Sequence, residues 1–181
     1  MKGVVFNILE EMVLESYGME TWNEILACAN EATGIYTASK SYPDSHLFEL
    51  VSIVSSKLDI PVGSLIGSFG EFMFNELVKR HPNFTDSQTN LDSFLRSIDD
   101  VIHVEVKKLY DSPNLPKFDY IDTEDGRLIM QYRSERKLCI LAEGLIRGAS
   151  SFYKQPIGLV HNICMHKGDD HCDLEITYIH D

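Results

Sequence analysis

Apolar residues in the first part of the chain recur at helical spacing. Val5, Leu9, Met12 and Val13 form one stripe, and Gly18 supplies a stop. The stretch METWNEILACANEATG repeats the pattern and predicts a second helix ending at Gly34. Tyr42-Pro43-Asp44 marks a loop. SHLFELVSIVSSKLD then predicts a third helix with Ser45 as its cap. The next segment opens on Pro61, which suits a first turn, and stops before Pro82. TDSQTNLDSFLRSIDDVIHVEVKKLY predicts one long helix, apolar at Leu91, Phe94, Leu95, Ile98 and Ile102.

Beyond Pro113 and Pro116 the period shortens. KFDYID, the turn TEDG and RLIMQYRSE predict a β-hairpin. CILAEGLIRGASSFYK returns to helical spacing, and IGLVHNICMH, KGDD and HCDLEITYI predict a second hairpin. The fold class is therefore α+β in a single domain, residues 1–181. A helical subdomain of about residues 1–60 packs on an α/β subdomain of about residues 61–181, with an antiparallel sheet of about four strands.

The hairpin gives meaning to MQYRSERKL. In a helix Tyr132 and Arg136 share a face and Ser134 does not; in an extended strand all three point one way. Two hydroxyls and a guanidinium on one face could grip an anion. The plainer alternative is a solvated sheet face.

Charge narrows the partners. The chain carries a net charge of −12, with 44% hydrophobic residues. No basic excess is available to displace counterions from phosphates, which argues against nucleic acid and against an anionic membrane surface. No apolar run is long enough to span a bilayer, and acidic residues interrupt the N-terminal apolar stretch too early for a signal peptide. The expected location is cytoplasmic, with Cys28, Cys139, Cys164 and Cys172 reduced. The sequence holds no nucleophile elbow, phosphate-binding glycine loop or paired-carboxylate motif, so an enzyme is not expected.

HNICMHKGDDHCD has the composition of a metal site. Cys164 and Cys172 lie symmetrically about Gly168, so a hairpin turning there brings their thiols together. His161 precedes Cys164 by three residues, and Cys139, just before the last long helix, is the expected fourth ligand. Thiolates plus imidazole suit tetrahedral zinc in a structural role. His161 and Cys164 differ in strand parity, which requires a bulge or loop between them. His166 and His171 are spare ligands, and His180 lies in the same region. The alternatives are buried structural cysteines beside a polar turn, or a redox switch in which oxidation releases zinc and pairs thiols. Cys28 is expected to be buried in the helical half.

Three features together resemble the H-NOX family, the haem nitric oxide/oxygen-binding domains. They are the start MKG at the full length of such a domain, His103 late in a long helix with Pro116 thirteen residues on, and the motif Tyr132-x-Ser134-x-Arg136. The resemblance implies haem b, with His103 as axial ligand to the iron, the motif on the propionates, and Pro116 pressing on the porphyrin. His46 and His81, at helix ends, are weaker ligand candidates. O2-binding members carry a distal tyrosine five residues beyond the arginine; here that position is Leu141. Their supporting polar partners map to Leu9 and Met73, and Val5 and Leu77 line the same side.

An apolar distal pocket implies selection of NO, and CO, over O2. The expected signal is rupture of the iron–His103 bond, passed in trans to a histidine kinase or to a cyclic-di-GMP enzyme, a diguanylate cyclase or phosphodiesterase. The competing reading is a haem-free, zinc-containing small-molecule-binding regulatory domain of the vinyl-reductase type, suggested by Cys-x3-Gly-Asp-x2-Cys.

Overall fold

The structure is a computed structural model that describes residues 1–110 and 113–179. Helix α1 (Gly3–Cys28) is two helical runs meeting at Gly18, whose φ of +83° breaks the helix at the expected stop. The second run ends at Cys28 rather than Gly34. The Glu49 carboxylate accepts hydrogen bonds from the backbone N–H groups of Asn30, Glu31 and Ala32. Those donors are thereby satisfied outside a helix, and residues 30–32 run as loop. The same bonds, led by that of Asn30, hold the Glu49 carboxyl down at about 2.

Helix α2 (Asp44–Leu58) opens on Asp44, flanked by Pro43, so Ser45 sits inside its first turn and caps nothing. Helix α3 (Val62–Arg80) follows Pro61 as expected. The single long helix expected after Pro82 is broken into four pieces. They are α4 (Asn83–Asp86), α5 (Leu91–Arg96), a π-helical turn (Ile98–Ile102) and α6 (His103–Leu109). Asn90 starts α5 with a reciprocal cap: its side chain accepts from Ser93 N–H, and Ser93 Oγ accepts from Asn90 N–H.

Strands β1 (Lys117–Asp122) and β2 (Leu128–Arg133) form the first hairpin, turning through Gly126. Helix α7 (Cys139–Phe152) leads to β3 (Ile157–His161) and β4 (Cys172–Tyr178). The four strands pair antiparallel in the order β1-β2-β4-β3. Leu128, Met130 and Tyr132 of β2 and Cys172, Leu174 and Ile176 of β4 are paired across the strands and buried on one face.

Two apolar cores result. One joins α1, α2 and α3 around Ile8, Leu9, Leu50 and Phe69; the other joins α5, α7 and the sheet around Leu91, Met130, Leu174 and Ile176. Helices α3 and α7 serve both, since Met73 and Leu141 belong to the first and Phe74 and Ala142 to the second. They cross with backbones in contact. A Cβ on Gly144 would lie 2.2 Å from the Gly67 carbonyl oxygen, and one on Gly70 would lie 2.5 Å from that of Leu141. Among the described residues no single helix is long and apolar enough to cross a membrane.

Candidate functional site

A cavity of about 510 Å³ lies where the two cores meet. That is within the range of roughly 300–1,000 Å³ of small-molecule and cofactor sites. Val5, Met73, Leu77 and Leu141, the residues that the family resemblance implies, all line it. Leu9 does not: it is fully buried, one turn from Val5, and packs inside the N-terminal core. Tyr110, at the end of α6, lines the cavity and was not anticipated. Burial pushes its phenol above the ordinary range.

His103 also lines the cavity. It is the first residue of α6, after the π-helical turn, rather than a late residue of one long helix. Its Nδ1 lies 2.6 Å from Asp99 Oδ1. A carboxylate only accepts, so Nδ1 carries the proton and Nε2 keeps its lone pair. Burial, the largest influence, lowers the imidazole's pKa below its ordinary value, against the opposing charge and hydrogen bond of Asp99. The result is a neutral imidazole with one unprotonated nitrogen, the form that binds iron. Its ring stands 6.1 Å from that of Phe118 in β1. Pro116 lines the cavity from the loop before β1.

Tyr132, Ser134 and Arg136 all reach the cavity, but not along one strand face. Strand β2 ends at Arg133, so only Tyr132 is extended; Ser134 and Arg136 lie in the turn that follows. That turn closes with Lys137 at a φ of +52° and a bond from its N–H to the Ser134 carbonyl. Ser134 Oγ accepts from Arg136 N–H, and Tyr132 Oη accepts from Leu138 N–H. The motif is a strand end plus a turn, each locking the next residue.

The Arg136 guanidinium forks onto both oxygens of Asp44, through Nε and Nη2, and its Nη1 donates to the Asn114 carbonyl. The amino group of Met1 also donates to Asp44. Burial raises the Asp44 pKa, but the bonds from Arg136 and Met1 outweigh it and hold the carboxyl below its ordinary value. Arg136 is thus already arranged for a carboxylate at the cavity wall. Asp44, ninety-two residues earlier, carries no sequence signal linking it to Arg136.

The second cluster is tighter. The ligand atoms of Cys139, His161, Cys164 and Cys172 all lie within 4.8 Å of one another. The Cys164 sulfur is 4.0 Å from those of both Cys139 and Cys172. Tetrahedral bonds of roughly 2.3 Å to zinc require sulfurs roughly 3.8 Å apart, so the set needs little adjustment. His161 donates from Nδ1 to Glu143 Oε1 at 2.6 Å, while its Nε2 is buried with no hydrogen-bond partner among the described residues. An orphaned imidazole nitrogen beside three thiols fits a metal ligand. Burial first, then the neighbouring thiols, push the Cys139 pKa up, a cost a divalent cation would reverse.

The parity conflict dissolves because β3 ends at His161 and Cys164 lies in the loop beyond. The wide loop also corrects the expected tight turn: Gly168 ends a short 3-10 turn, Met165–Lys167. His166 is held by the Lys137 carbonyl, and His171 by Asp170, Gln131 and Asp173; neither belongs to the set of four. His180 lies outside the described residues. Cys28 is exposed, not buried.

Comparisons with known proteins show the family and the fold. Residues 2–161 match the family model described as haem-NO-binding. The chain is 40% identical to an H-NOX protein from Shewanella oneidensis solved in the Fe(II)NO ligation state. That match covers 99% of this chain and 100% of the other, with a TM-score of 0.94. The H-NOX of Shewanella woodyi, solved with IWP-051 bound, is 32% identical over 99% of this chain and 95% of its own, with a TM-score of 0.85. Among curated proteins, soluble guanylate cyclase gcy-32 of Caenorhabditis elegans is 26% identical over 164 residues, 81% of this chain. The chain spans only 22% of that relative's length. With a neutral histidine and a carboxylate-gripping arginine on one apolar cavity, and a family match over most of its length, the chain belongs to the haem-NO-binding, or H-NOX, family of haem-based gas sensors.

Proposed function

We propose that the protein is a cytoplasmic NO sensor that binds haem b in the cavity and excludes O2. The observation that carries this is the pairing of His103 with an apolar wall at Leu141, Met73, Leu77 and Val5. When bound, haem would supply an iron centre that takes NO or CO and that the His103 imidazole would ligate.

The residues do the rest. His103 Nε2 supplies the axial ligand. Arg136 grips a propionate with the fork now on Asp44, and Tyr132 and Ser134 set its orientation. Pro116, on the cavity wall, would press on the bound group. Leu141 offers no hydrogen-bond donor, so O2 would gain nothing there, while NO and CO would need none. Release of His103 would free α6, whose first residue it is, to move, a two-state change that a partner could read. The partner acts in trans and is a histidine kinase or a cyclic-di-GMP enzyme; the domain itself is a sensor rather than a catalyst.

Cys139, His161, Cys164 and Cys172 hold a structural zinc that ties the β3–β4 loop to the start of α7. Oxidation of these thiols would release the metal. Zinc binding alone, as in a haem-free vinyl-reductase-type domain, would leave the cavity, His103 and Arg136 without a task.

Absorption spectroscopy on the reduced protein tests the proposal. NO should convert the spectrum to that of an iron centre that has lost its histidine, and air should yield no stable O2 complex. A stable complex in air would overturn the assignment of the Leu141 wall. Failure to take up haem would overturn the sensor itself.

A further inference from the structure

We propose that Asp99 is the positioning residue of the axial histidine, tying His103 to strand β1 and setting how readily the imidazole leaves the metal. The proposal rests on the haem reading above.

The two oxygens of Asp99 have separate tasks. Oδ1 accepts from His103 Nδ1 at 2.6 Å, and Oδ2 accepts from the backbone N–H of Phe118 at 2.7 Å. Strand β1 is an edge strand, and the Phe118 N–H finds its acceptor in this side chain. The Phe118 ring stands against both the His103 ring and the Tyr132 ring, so the bridge closes a frame around the cavity wall. A carboxylate on one imidazole nitrogen makes the other a stronger donor to a metal.

Asp99 also sits inside the π-helical turn Ile98–Ile102. There the Ser97 carbonyl accepts from both Val101 N–H and Ile102 N–H, the mark of one residue too many for an α-turn. Such turns are frequent at functional sites. Rewinding this one into α-helix would rotate His103 by about 100° about the helix axis. The bridge from Asp99 to β1 opposes that rotation. Loss of the bridge therefore weakens the imidazole as a ligand and loosens the segment that carries it.

Three variants test this: Asp99→Ala, Asp99→Asn, and Asp100→Asn at the exposed neighbour. Each is measured for haem uptake, for the iron–histidine stretching frequency by resonance Raman, and, without haem, for amide hydrogen exchange at Val101, Ile102 and Phe118. Asp99→Ala should lower the frequency, weaken haem retention by about 10-fold or more, and speed Phe118 exchange by about as much. Asp99→Asn should fall between, since one amide oxygen cannot serve both donors and keeps no charge. Asp100→Asn should match the wild type.

Haem uptake with an unchanged frequency and unchanged Phe118 exchange in Asp99→Ala overturns the proposal while the haem reading stands. No haem uptake by the wild type overturns the haem reading, and the exchange data then decide alone whether Asp99 holds the segment. If Asp99→Ala does not fold, the same readings on Asp99→Asn decide.

Discussion

The cavity and the thiol cluster share helix α7 yet are built by opposite strategies. Leu141 lines the cavity and Cys139, two residues earlier, belongs to the cluster. The cluster draws its ligands from a short span of chain and has them assembled, leaving one imidazole nitrogen orphaned. The cavity draws on α1, α3, α6, α7 and the end of β2, and its polar groups already have partners: Asp99 on His103, Asp44 on Arg136. A preassembled ligand set resists movement, as the proposed structural site requires. A cavity whose ligand-bearing groups are held by exchangeable partners can have two states.

If the proposed zinc occupies the cluster, removing it should give the largest effect. At a zinc concentration about 1,000 times the dissociation constant, binding stabilises the fold by about 4 kcal/mol. Thermal unfolding with and without a chelator should show this for the wild type and not for Cys172→Ser. A chelator-insensitive wild type would break the contrast between the regions.

Gly144→Ala should damage both regions together. Its Cβ would meet backbone at 2.2 Å, so α3 and α7 must separate, at a cost of about 3 kcal/mol in urea unfolding. An unperturbed variant would show that the crossing is looser than its geometry.

Arg136→Ala should act on the cavity alone. Hydrogen bonds to charged groups contribute about 1.5–3 kcal/mol each, so haem should be released at least about 10-fold faster while zinc content stays unchanged. Leu141→Tyr should add a donor to the apolar wall and raise O2 affinity by about 10-fold, read as a complex that persists in air.

The smallest effect concerns pH. Asp44 has a folded pKa below its ordinary 3.8, so its contribution is complete above that value and is lost as pH falls through the folded pKa. Acid titration of the haem-free protein should show less loss of stability in this range for Asp44→Asn than for the wild type. Equal loss would mean that the Arg136 bond adds nothing net to stability.

Legibility in the sequence followed distance along the chain. The stop at Gly18, the Gly126 turn and the four strands came from local pattern. Cys164 and Cys172 were paired by symmetry about Gly168, which proved right in proximity and wrong in the form of the turn. Strand alternation put Ser134 and Arg136 on one face with Tyr132; all three line the cavity, although the strand ends before Ser134. The break before His103 was not legible, because Leu91 to Ile102 keep a helical apolar spacing that an added residue in a π-turn does not disrupt. Asp99 carried a faint signal, four residues before His103; Asp44 and Glu143 carried none.

Resemblance to the family, not spacing, singled out His103; by itself the sequence determined the alternation of helices and hairpins and the absence of a tyrosine at position 141. The last two depend on side-chain identity and on periods of two and 3.6 residues, which are local. Only the tertiary structure decided which carboxylate holds each functional group, that Leu9 lies in the core and Tyr110 on the cavity, and that four ligand atoms meet within 4.8 Å. Those outcomes turn on where α3 and α7 cross and where β2 stops. A close approach of two backbones depends on the packing of the whole molecule and on no single stretch of it.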